Sequence, residues 1–149
     1  MEYEPLTVAD MKGIPEAILN LIANWDGLPF KATQKTVCWN NHDYDMGIGC
    51  FPMAGAVYLK KYLSGSFVGQ IPFSIQYRTS PTTNRGRIDA QKVLEDLGEW
   101  LESCSATFTE EGFILDEIER TTNAIKIGAY EDGSEVYQNT MKLTYTIRR

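Results

Sequence analysis

Cys38, His42, Asp43, Asp45 and Cys50 crowd five potential metal ligands into one short stretch of the chain. Thiolates and imidazole suit zinc, but structural zinc sites present closely spaced cysteine pairs, and twelve positions separate these two cysteines. Asp43-Tyr44-Asp45 opens like a calcium loop. A calcium loop needs glycine at its sixth position and glutamate at its twelfth, and here Ile48 and Ala54 stand there. These spacings argue against a metal, and no cofactor is implied. The segment also reads as a surface loop in which Asn40, Asn41 and the aspartates satisfy local backbone groups.

Other chemistry is thin. His42 is the only histidine, so any imidazole acid–base or triad mechanism must use it, and no Gly-x-Ser-x-Gly elbow accompanies it. Ser64–Gly69 contains glycines but lacks the Gly-Lys-Ser/Thr ending of a phosphate loop. The pairs Glu110-Glu111, Asp116-Glu117 and Glu131-Asp132 read as solvated faces and turns. Cys38, Cys50 and Cys104 are odd in number and widely spaced, which fits buried free thiols rather than a disulfide framework. No catalytic constellation emerges.

The polar feature with a plausible role is basic. Arg78, Arg85 and Arg87 place three of the fourteen basic residues within ten positions. Guanidinium forks suit carboxylates or phosphates, so the readings open here are an acidic protein surface, DNA, or solvation of the loop alone.

The elements around this loop are predicted from periodicity. Ile71, Phe73, Ile75 and Tyr77 alternate with Pro72, Ser74, Gln76 and Arg78, one face of a half-buried strand. Thr79–Arg87 is a polar loop, and Ala90, Val93, Leu94, Leu97, Trp100 and Leu101 then form a helical stripe over Ile88–Leu101 with Asp89 near its positive end. An earlier helix is expected from Pro15 to Trp25, ended by Asp26-Gly27. Strands are expected over Thr33–Trp39 and Val57–Leu63, with Asn40–Pro52 irregular and a turn at Ser64-Gly65-Ser66. Along Val57–Leu63, Tyr58, Lys60 and Tyr62 are expected to face away from Val57, Leu59, Lys61 and Leu63. Ile125–Ala129 and Met141–Ile147 alternate as strands of a meander turned at Asp132-Gly133. Thr109–Ile118 fits a strand, a linker or a helix turn equally. The terminal strand, with Tyr145, Ile147 and Arg148 near its end, is expected to be available as an edge or for pairing across subunits.

This order predicts an α+β fold: two main helices packed on one face of a mostly antiparallel sheet. The 149 residues suit one domain spanning 1–149, and 43% hydrophobic with 23% charged content is ordinary for a soluble protein. A net charge of −6 argues against a nucleic-acid-coating role, though not against DNA sliding past an acidic wall. No apolar stretch approaches a membrane span, and the acidic start Met1-Glu2-Tyr3-Glu4 lacks a signal-peptide pattern, so folding in a cytosol is expected.

The run GQIPFSIQYRTSPTTNRGRIDAQKVLEDLGEWLE, Gly69–Glu102, resembles a family of small tailed-phage proteins labelled minor capsid proteins, which look like tail terminators of phages and prophages of Gram-positive bacteria. The likeness rests on Ile75-Gln76-Tyr77-Arg78, on Arg87-Ile88-Asp89-Ala90 and above all on Leu94–Leu101, with a looser match in element order from about Pro15 onward. It implies a tail-terminator-like fold and a virion structural protein, not an enzyme. The resemblance further implies a homohexameric ring that caps the tail tube at the head–tail junction. Its partners would be the tail-tube protein and head–tail connector proteins, with DNA passing through the ring unread. Assembly would take place in the host cytoplasm, away from membranes. Arg78, Thr79, Arg85, Arg87, Tyr145, Ile147 and Arg148 are the candidate subunit or tube contacts. The alternatives are a small soluble enzyme or ligand-binding domain using the Cys38–Cys50 loop, or another minor capsid, tail-tube or connector subunit.

Overall fold

A computed structural model describes residues 14–32, 36–39, 47–55, 58–104 and 113–148. Its elements are α1 (Ile14–Ala23), β1 (Val37–Trp39), β2 (Gly47–Pro52), β3 (Tyr58–Lys61), β4 (Phe67–Thr79), α2 (Asn84–Ser103), β5 (Phe113–Arg120), β6 (Ile125–Ala129) and β7 (Glu135–Ile147). Among the described residues, two helices and a seven-stranded mixed sheet make an α+β fold, as the periodicities predict. Among the described strands, β1–β2 is the one parallel pair.

The frame of the sheet is β4 against β7, paired in one unbroken antiparallel register from Phe67↔Ile147 to Thr79↔Glu135. On the outer side of β4, β2 pairs with the Thr79 half and β3 with the Phe67 half. On the outer side of β7, β6 takes the Glu135 half and β5 the Ile147 half. Residues that share rungs share faces. Ile48, Cys50, Phe73, Ile75, Tyr77, Tyr137, Met141 and Leu143 therefore line one side, and all are buried. Ile14, Ile18 and Ile22 of α1 and Leu94, Leu97 and Leu101 of α2 complete the same cluster.

Local chemistry sets the helix ends. Thr83 is extended and its Oγ1 accepts from Gly86 N at 3.0 Å, a cap that starts α2 at Asn84, four residues before the predicted start at Ile88. The expected loop Thr79–Arg87 therefore shrinks: Thr79 ends β4, and Arg85 and Arg87 lie in the first turns of α2. Buried Ala90, Leu94, Leu97 and Leu101 hold the helix on the sheet, and Asn139 Nδ2 donates to Leu94 O at 2.9 Å from beneath it. In α1, Ile14, Ala17, Ile18 and Ile22 are the buried stripe.

Other expectations are corrected. Asn40–Pro52 is not irregular throughout: Gly47–Pro52 is a strand, because burying Ile48 and Cys50 against β4 outweighs the weak strand preference of Gly47 and Gly49. The strand predicted from Thr33 is described only from Val37, residues 33–35 lying outside the described set. The undecided segment Thr109–Ile118 contributes β5 from Phe113. A bulge between Tyr58 and Lys60 puts Tyr58 and Lys61 on one face and Lys60 on the other, against the simple alternation expected there. The C-terminal strand is not an edge, because β7 lies between β4 and the β5/β6 pair.

Candidate assembly surface

The three arginines do not form one basic loop. Arg78 Nε donates to Ser134 Oγ at 2.9 Å and Nη2 to Asp132 Oδ2 at 2.9 Å, while its guanidinium carbon lies 3.9 Å over the Tyr130 ring. These contacts tie the end of β4 to the β6–β7 turn, where Gly133 adopts φ +91 and Ser134 N donates to Asp132 Oδ1. Hydrogen bonds from Ser134, then the neighbouring Arg78, hold the Asp132 carboxyl below its ordinary range.

Arg87 reaches the same hairpin from α2. Its Nε donates to both Glu135 oxygens, at 3.2 and 3.1 Å. Glu135 has a 6% exposed side chain and also accepts from Lys126 Nζ at 3.0 Å and Tyr137 Oη at 3.2 Å. Bonding to Lys126, Arg87 and Tyr137 depresses its carboxyl against the opposing effect of burial. Burial and the adjacent carboxylate in turn raise the Tyr137 phenol. Thr79, on the last rung opposite Glu135, is buried.

Arg85 stands apart. Its side chain is 83% exposed and, among the described residues, its ion pair is with Asp89 of its own helix, at 3.4 Å. Of the three arginines it is the one placed to touch a partner without first breaking an internal clamp.

Tyr145, Ile147 and Arg148 lie at the opposite end of the sheet. Eleven β4 rungs separate Arg78 from Phe67, roughly 36 Å at strand rise. The candidate residues therefore make two distant patches rather than one site. Tyr145 is buried beside Phe67, with ring centroids 6.2 Å apart, and Phe67 meets Tyr58 edge-on at 4.9 Å. Gly69 makes this row possible, because a Cβ there would fall 2.5 Å from the Tyr145 ring. Ile147 packs partly buried on the core, and Arg148 is exposed.

Residues outside the candidate set complete this end. Tyr58, Leu59, Tyr62 and Leu63, on β3 and its turn, are all large, apolar or aromatic, and exposed, Leu63 fully so. Lys61 Nζ lies 4.2 Å over the Tyr58 ring and Lys60 Nζ 5.2 Å over Tyr62. The signal available in the sequence was charge segregation: residues 46–88 carry five basic side chains and no carboxylate, while the remainder holds all twenty carboxylates against nine basic residues.

Among the described residues no group of three or more His, Cys, Asp or Glu side chains is placed to hold a metal ion. His42, Asp43 and Asp45 lie outside those residues. Cys38 and Cys50 are buried on neighbouring strands, and burial, then Cys38, pushes the Cys50 thiol far up, so it packs as a small apolar group. No described helix is long and apolar enough to cross a membrane. No protein-family model matches the chain, and no curated protein matches it significantly.

Proposed function

We propose that the protein is a tail terminator of a tailed phage, a structural subunit whose homohexameric ring caps the tail tube and presents a new surface to the head–tail connector. The observation that carries this reading is the resemblance of Gly69–Glu102, which spans most of β4, the cap at Thr83 and nearly all of α2. The work of such a protein is geometric: the ring occludes the docking surface for the next tube subunit and leaves a channel for DNA, which it does not read. A closed ring uses two different, complementary patches per subunit. Exposed Arg85 at one end of the sheet, and exposed Arg148, Tyr58 and Leu59 at the other, leave separate surfaces for such patches. The protein would act at the head–tail junction of the virion, after assembly in the host cytoplasm.

Mass measurement in solution, combined with particle imaging beside tubes of the phage's own tail-tube protein, tests the reading. The expected result is a ring of six subunits, free or seated on tube ends. A chain that neither forms rings nor binds tube ends rejects it. Replacing His42, Asp43 and Asp45 together leaves ring assembly intact on this reading.

A further inference from the structure

We propose that β3 of one copy docks edge to edge against β5 of a second copy, making the subunit contact of the ring. The inference rests on the ring reading above and names the surfaces that close it.

The topology carries the first part of the argument. β3 and β5 are the outermost described strands at the Phe67 end of the sheet, on opposite sides. They share rungs through the frame: Lys60↔Val68↔Thr146↔Ile114 and Tyr58↔Gly69↔Tyr145↔Leu115. Each pairing across this row is antiparallel, so β3 runs opposite to β5. Copies related by rotation about an axis parallel to the strands would thus set β3 beside β5 in antiparallel order. That contact is heterologous, the type that closes a ring.

Charge selects the occupant. The β3 edge presents Lys60 and Lys61 in a stretch of sequence without any carboxylate, whereas β5 presents exposed Asp116 and Glu117. The chain thus carries the complement of its own basic edge on its opposite acidic edge. Exposed Leu59 on β3 and Ile114 on β5, the latter 37% exposed, add apolar surface to each side. Lysines on an edge strand commonly block pairing between sheets. In the shared-rung register Lys60 stands level with Ile114 and diagonal to Glu117, two rungs on along the same face. The acidic strand thus offers the lysine a partner, which separates a second copy from a general barrier.

Charge exchange tests this in the full-length chain, with thermal melting as the folding control. Lys60→Glu/Lys61→Glu and, separately, Asp116→Lys/Glu117→Lys should each raise the concentration for half-assembly by at least about tenfold at low salt. The chain carrying all four changes should assemble again, because the two edges are again opposite in sign. Asp116 also accepts from Thr146 Oγ1 at 2.6 Å, so Glu117→Lys alone serves as the acidic-edge variant if the double change lowers the melting point. Rings that ignore both reversals, or fail to recover in the fourfold variant, overturn the β3–β5 contact while leaving the ring reading standing. A parent chain that stays monomeric alone and at tube ends overturns both, and leaves the lysines as an edge barrier.

Discussion

Arg87 and Glu135, 48 residues apart in sequence, meet in a fork in which one guanidinium nitrogen reaches both carboxylate oxygens, joining the start of α2 to the start of β7. Lys126 adds a second cation from β6, so three elements converge on one nearly buried carboxylate. Folding depresses the Glu135 carboxyl from its ordinary value of 4.5, which means the ionised form favours the folded state. Its contribution is complete above that value and is lost as pH falls through the lower, folded value. Tyr137 sets the opposite limit: its phenol is raised above 10.0, so its contribution is complete below 10.0 and is lost as pH rises through the higher folded value. Melting temperature followed from pH 2 to 7 should fall on the acid side, and Glu135→Gln should flatten that limb. An acid limb of unchanged slope in this variant would remove Glu135 from the account.

The same geometry separates two arginines that look equivalent in sequence. Arg87→Glu sets a carboxylate against Glu135 and should destabilise the fold and loosen the β6–β7 hairpin, seen as faster amide exchange across β6. Arg85→Glu, on an 83% exposed side chain, should change stability by less than about 0.5 kcal/mol. Any loss of assembly in the Arg85 variant therefore reports a contact with a partner. In the Arg87 variant such a loss also reflects damage within the subunit.

Legibility in the sequence followed local periodicity. Phe73, Ile75 and Tyr77 on β4, and the stripe of α2 from Ala90 to Leu101, were readable because each residue repeats the period of its own element. β2 was missed because Gly47, Gly49 and Pro52 signal a break, and its order comes from β4, more than twenty residues away. The bulge at Tyr58–Lys60 broke an alternation that looked regular. Placing the terminal strand at an edge failed for a similar reason: position at the end of a chain does not determine position in a sheet, and β5 and β6 both add beyond β7. The arginine clamps were invisible because their carboxylate partners lie 48 and 54 residues distant. Likewise, nothing local marked β3 as an exposed apolar edge with its lysines over tyrosine rings.

The α2 interface yields a graded series. Leu97 is fully buried, so Leu97→Ala should cost about 2–5 kcal/mol, and Leu97→Asp should prevent soluble folding. Lys92→Glu, on the exposed face, should be nearly silent. Gly98→Ala is the informative member. Alanine raises helix propensity by up to about 1 kcal/mol. Its Cβ, however, would stand 2.6 Å from Arg120 Cδ and 3.2 Å from Asn139 Nδ2. Arg120 is held by Glu102 at 2.7 Å and Asn139 by the Leu94 carbonyl, so neither is free to yield at no cost. Overpacking of about 1–3 kcal/mol should win, giving a lower denaturation midpoint than the parent.

Gly69 and Gly128 both lie in strands, and they should respond oppositely to alanine. At Gly69 a Cβ would fall 2.5 Å from Cζ and 2.6 Å from Oη of Tyr145, a ring that is itself buried against Phe67. The ring must leave its place, at a cost of about 1–3 kcal/mol, which for a chain of this size lowers the melting temperature by several degrees. At Gly128 nothing lies within 4 Å of an added Cβ, and the residue is not among the positive-φ glycines. Alanine there restricts the unfolded chain without disturbing the folded one, so stability should hold or rise by up to about 1 kcal/mol. The Gly69 variant should also weaken assembly, because the displaced Tyr145 ring shares its rung with Tyr58 on the proposed β3 edge. Unchanged melting of Gly69→Ala would show that the aromatic row yields freely and does not brace that edge.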